Sequence, residues 1–84
     1  MTTYTDYPFT ANGVNFISRI HSDSPNVPYI SRMPAEVFTQ LNIDAVTDLL
    51  GDASLFTREE LLEELARVNE GGTHSFILLD EENN

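Results

Sequence analysis

The chain of 84 residues has no cysteine and no lysine, and its only basic side chains are four arginines. Without cysteine there is no disulfide framework and no thiolate metal site, so the redox compartment is left open. Without lysine the positive surface that nucleic-acid phosphates require is missing, which disfavours direct binding to nucleic acid. No hydrophobic run approaches the ~18 residues of a membrane span. The opening residues Met1 to Asp6 lack the basic and apolar regions of a signal peptide, so the expected location is the cytoplasm. No G-x-x-x-x-G-K-[ST] phosphate loop and no G-x-G-x-x-G fingerprint occurs.

What is abundant is negative charge. The formal net charge is −10, and it is unevenly spread. Residues 1–43 hold three acids against two arginines, whereas residues 44–84 hold eleven acids against two. The length suits one domain, 1–84, with the acidic stretch 80–84 expected to be a flexible tail.

The most legible element is the stretch from Phe56 to Gly72. Thr57 can cap a helix, Glu60 completes a T-x-x-E capping box, and Phe56 with Leu61 makes a hydrophobic staple. Leu61, Leu62, Leu65 and Val68 form one apolar stripe, and Gly71-Gly72 is expected to stop the helix in the left-handed conformation.

The first 21 residues read as a β-hairpin around Asn12-Gly13, a type I′ turn signal. Pairing outward from it sets Phe9 against Phe16, Tyr7 against Ser18 and Thr5 against Ile20 on a largely apolar face. The other face opposes Asp6 with Arg19. Pro8 cannot donate to a ladder, so the first strand is expected to lie at an edge or to pair irregularly there. Val27 to Ile30 is a possible short strand or an extended connection. Residues 34–50 read as two short helices broken at Asn42 and ending at Gly51, a single bent helix being the alternative. Thr73 to Leu79 is a β-prone closing run. The expected fold is α+β: a small, mainly antiparallel sheet of three to four strands with two or three helices packed on one face.

Candidate chemistry is sparse. His21 and His74 fall on separate strands with no serine or carboxylate at a catalytic spacing, and they read as surface histidines. Asp44, Asp48 and Asp52 are four apart, unlike the alternating oxygens of an EF-hand loop. Neither a metal nor a cofactor is expected, and the expectation is a non-enzymatic protein. The carboxylates remain: Glu59, Glu60, Glu63, Glu64 and Glu70 on or beside the long helix, and Asp80, Glu81 and Glu82 at the tail. Helical residues three or four apart stand about 5–6 Å from one another, near the phosphate repeat of a nucleic-acid strand. Those eight residues are the expected partner-binding set, with Glu63 and Arg67 placed for an i, i+4 ion pair.

A small, cysteine-free, acidic chain opening Met1-Thr2-Thr3-Tyr4-Thr5, with an early hairpin, central helices and a final strand, resembles phage-encoded anti-CRISPR proteins. The resemblance implies an inhibitor that blocks the nucleic-acid-binding surface of a CRISPR effector, in the host cytoplasm if the chain is phage-encoded; separately, a monomer or weak homodimer is expected. It carries no functional residue by motif. Two other readings compete: an adaptor domain, such as a phage accessory protein, recruiting a partner through an apolar strand edge, and a small enzyme using His21 or His74.

Overall fold

The computed structural model describes residues 3–69 and 72–79. In chain order the elements are β1 (Tyr4–Ala11), β2 (Val14–His21), α1 (Val27–Ser31), α2 (Ala35–Leu50), a short 3-10 turn (Ala53–Leu55), α3 (Arg58–Val68) and β3 (His74–Leu78). The three strands form one antiparallel sheet in the order β1-β2-β3. The fold is α+β, as its patterning leads one to expect.

The hairpin turns where both central residues take positive φ, 55° at Asn12 and 79° at Gly13. Its register pairs Phe9 with Phe16, Tyr7 with Ser18, Thr5 with Ile20 and Asp6 with Arg19. Arg19 grips Asp6 through two hydrogen bonds, Nε to Oδ1 at 2.8 Å and Nη2 to Oδ2 at 3.0 Å. The Arg19 guanidinium also lies 4.1 Å from the centroid of the Tyr4 ring. Pro8 falls in the edge strand β1 opposite Ile17, a place that tolerates its missing N–H. The hairpin tip is tied to the end of α2 by Asn12 Nδ2 donating to the Gly51 carbonyl at 3.3 Å.

One sheet face supplies Phe9, Ala11, Phe16, Phe76 and Leu78 to the core. Val46 and Leu50 of α2, Ala53 of the 3-10 turn, and Leu61 and Leu65 of α3 close over them. Phe9 stacks on Phe16 with ring centroids 5.5 Å apart and meets Phe76 edge-on at 5.9 Å. Both long helices therefore sit on the same side of the sheet.

Three local expectations need correction. Residues 27–31 form a helical turn rather than a strand: Pro28 occupies the first turn, where its missing N–H costs nothing, and the Asn26 carbonyl accepts from Tyr29 and Ile30 N–H. Residues 35–50 form one helix, because Asn42 faces inward and is hydrogen-bonded there instead of breaking the chain. Gly51, with φ 75°, ends that helix.

The end of α3 also departs from expectation. Its start is as expected: Thr57 Oγ1 accepts from Glu60 N–H at 3.2 Å, and Glu60 Oε1 accepts from Thr57 N–H at 2.8 Å. Phe56 is half-buried against the core that holds Leu61. The helix stops at Val68, however, with Asn69 as its C-cap in an ordinary right-handed conformation, φ −86°. No left-handed glycine is needed at Gly72, and Gly71 lies outside the described residues. Asn69 instead turns its amide to the backbone of Phe76, donating from Nδ2 to O at 2.7 Å and accepting from N–H at 3.0 Å. That pair substitutes for a further strand at the outer edge of β3.

Candidate functional site

Charge is segregated along the chain and hence in the fold. Residues 3–34, the hairpin and α1, hold two acids and two arginines and are neutral. Residues 35–69, the helical layer, hold eight acids and two arginines. α2 and α3 bury their apolar stripes against the same sheet face, and together they carry seven of the ten described carboxylates.

Not every carboxylate is equally available. Glu60 is exposed, but its side chain is held by the capping box. Glu64 is half-buried and pairs with Arg67, so the arginine takes the i, i+3 partner rather than the expected Glu63. Asp44 accepts from Gln40 Nε2 at 3.0 Å, and Asp52 caps the 3-10 turn through Ser54 N–H. Glu59 and Glu63, both exposed on α3, have no hydrogen-bond or ion-pair partner among the described residues. The same holds for Glu36 and Asp48 on α2. Glu59 and Glu63 are one helical turn apart and stand as adjacent free carboxylates. Glu70, Asp80, Glu81 and Glu82 lie outside the described residues, as does the expected tail 80–84.

A second feature escaped the sequence reading. Ser18, on central strand β2, is fully buried. Its Oγ lies 3.1 Å from Asn42 Oδ1 and 2.6 Å from His74 Nε2. The hydroxyl has one proton to give. When Asn42 Oδ1 accepts it, His74 Nε2 carries a proton and donates to Ser18 Oγ. The chain then runs His74 to Ser18 to Asn42. Burial lowers the His74 pKa from its ordinary 6.5, which favours the neutral ring; the donation itself needs only a proton on Nε2. His74 is thus part of an interior network rather than a surface histidine. His21 is on the outer sheet face, half-buried with its ring 6.2 Å from that of Tyr4.

Serine beside histidine invites a nucleophile reading, but the geometry does not favour it. Ser18 Oγ is sealed from solvent, and the third member, Asn42, binds the serine instead of orienting the histidine. The signal for this network was present in the spacing. Phe38, Asn42, Val46 and Leu50 recur every four residues, so Asn42 belongs to the buried stripe of α2. Ser18 falls on the apolar hairpin face, and His74 alternates with Phe76 and Leu78.

Among the described residues no cluster of acidic, histidine or cysteine side chains could hold a metal ion, and no helix is long and apolar enough to cross a membrane. Comparison with family models, characterised proteins and solved structures gives no match.

Proposed function

We propose that this protein is a non-enzymatic inhibitor or regulator whose acidic helical layer occupies the basic, nucleic-acid-binding surface of a partner protein. The observation that carries the reading is the segregation of charge: a neutral hairpin half against a helical half with eight acids, of which Glu59 and Glu63 stand unpaired on α3. A row of carboxylates at helical spacing presents negative charge on a rigid support. Opposite charge on a partner would speed encounter and set orientation. The resemblance to anti-CRISPR proteins makes a CRISPR effector the first partner class to try. Docking through a strand edge is the weaker reading, since Asn69 already occupies the outward backbone groups of Phe76 on β3, and Pro8 removes a donor from β1.

The test is capture from a bacterial lysate on the immobilised protein at low salt, followed by elution with nucleic acid. The reading expects basic nucleic-acid-binding proteins that nucleic acid releases. Retained proteins that are neither basic nor displaced by nucleic acid would contradict it.

A further inference from the structure

The buried stripe of α2 has an exposed twin. Phe38, Asn42, Val46 and Leu50 are buried at four-residue spacing, and one position earlier Val37, Leu41, Ala45 and Leu49 repeat that spacing. Residues four apart on a helix form one continuous ridge. Val37, Leu41 and Leu49 are 47%, 49% and 49% exposed, and Ala45 is half-buried. At ~1.5 Å per residue the ridge is about 18 Å long. Beside it lies an open hollow of about 280 Å³, lined by Leu41 and Ala45 together with Tyr29, Met33 and Phe38.

We propose that this ridge is the contact of a weak homodimer, in which the α2 helices of two copies cross antiparallel about a two-fold axis between Leu41 and Ala45. The ridge is self-complementary in that arrangement. A two-fold midway along it sets Val37 opposite Leu49, and Leu41 opposite Ala45, of the second copy, and each pair occurs twice. A large side chain thus meets a small one at the crossing, which lets the helices approach and gives each leucine a hollow to fill.

The ends of the ridge match in charge. Arg32, exposed and without an ion pair among the described residues, stands just before α2. Asp52 stands just after it, with Oδ1 engaged by Ser54 and Oδ2 free of hydrogen bonds among the described residues. Antiparallel crossing brings the Arg32 end of each copy to the Asp52 end of the other. Parallel crossing would bring like charges together. Exposed ion pairs contribute little energy, so they set direction while the ridge supplies affinity.

Four side chains make a small interface against the ~800 Å² per partner of a standard one, so the dimer forms only at high protein concentration. The net charge of −10 on each copy, with Asp44 and Asp48 on the same helix, opposes association until salt screens it. Salt should therefore strengthen self-association. It should weaken a basic partner's hold on the acidic layer, so the two proposals fail separately.

The test is sedimentation equilibrium of the full chain from micromolar to millimolar concentration, at low and at high salt. A monomer–dimer equilibrium that tightens with salt is expected. Leu41→Lys and Val37→Lys alter exposed side chains and reduce the net negative charge, so charge repulsion cannot explain a weaker dimer. Each should weaken it at least tenfold with the melting temperature retained. The absence of cysteine makes the register testable by disulfide trapping at high protein concentration. Leu41→Cys mixed with Ala45→Cys should give a cross-linked mixed dimer. Val37→Cys alone should not cross-link, because antiparallel copies hold its two sites about 18 Å apart along the helix. A monomer under all conditions would overturn the proposal and leave the ridge to a different protein. Unchanged dimerisation in both lysine variants, absence of the mixed dimer, or cross-linking of Val37→Cys alone would overturn it as well.

Discussion

The side-chain amide of Asn69 takes both backbone groups of Phe76, donating to its carbonyl at 2.7 Å and accepting from its N–H at 3.0 Å. In an antiparallel sheet a residue's N–H and C=O point together, either toward a partner strand or away from it. Phe76 sits opposite Ser18 of β2, and the bonds to Asn69 show that its groups point away. A single side chain at the end of α3 thus closes part of the sheet edge and joins the last helix to the last strand.

Asn69→Ala should destabilise the fold by about 1–3 kcal/mol, because two part-buried backbone groups lose their partners. Asn69→Asp should be at least as damaging, since one carboxylate oxygen would face the Phe76 carbonyl. Urea melts of the two variants measure both effects.

At the other end of α3 the capping box predicts about 1 kcal/mol for Thr57→Ala. Phe56 is only half-buried, so Phe56→Ala should cost less than the ~3–5 kcal/mol typical of a fully buried phenylalanine, about 2 kcal/mol. A neutral result in the same melts would mean that Phe56 does not pack on the core.

His74 makes stability depend on pH. Burial lowers its pKa in the folded state, so between the folded pKa and the unfolded value near 6.5 the unfolded chain binds more protons. Its contribution is complete above that unfolded value and is lost as pH falls below it. His74→Gln keeps a donor for Ser18 but does not titrate. The difference between wild-type and variant stabilities should therefore shrink as pH drops from about 7 toward 5. Parallel pH curves would remove His74 from the account.

The parts of the fold that could be read in the sequence are those fixed by near neighbours. The hairpin register follows from Asn12-Gly13 and two-residue alternation, and the start of α3 follows from Thr57 and Glu60. The rest of the fold depends on distant partners. Asn42 resembles a helix breaker until Ser18 is placed against it, and Pro28 suits an edge strand and a helix start equally well. Gly71-Gly72 is a strong stop signal, but Asn69 ends the helix earlier because its side chain has Phe76 to bind. The interior network joins residues 18, 42 and 74, and only the β2–β3 register brings them together. For the acidic surface, sequence identified the charge, while the fold separates Glu59 and Glu63 from Glu60 and Glu64, which are already engaged.

Glu59→Lys/Glu63→Lys should leave the melting temperature within a few degrees of wild type, since both side chains are exposed and lie off the Leu61–Leu65 stripe. Unfolding of this variant would show that the two carboxylates serve the fold.

The most direct measurement of the central claim is the association rate of that variant and of wild type with the captured partner, across a series of salt concentrations. Asp23→Lys, outside the helical layer, is the control; Asp6 is unsuitable because Arg19 holds it. The account predicts that wild type associates fastest at low salt and slows steeply as salt screens the charges, with Asp23→Lys close behind it. It predicts at least a tenfold slower association and a shallower salt dependence for Glu59→Lys/Glu63→Lys. Equal rates for all three proteins, unaffected by salt, would contradict it and leave the acidic surface with a solubilising role alone.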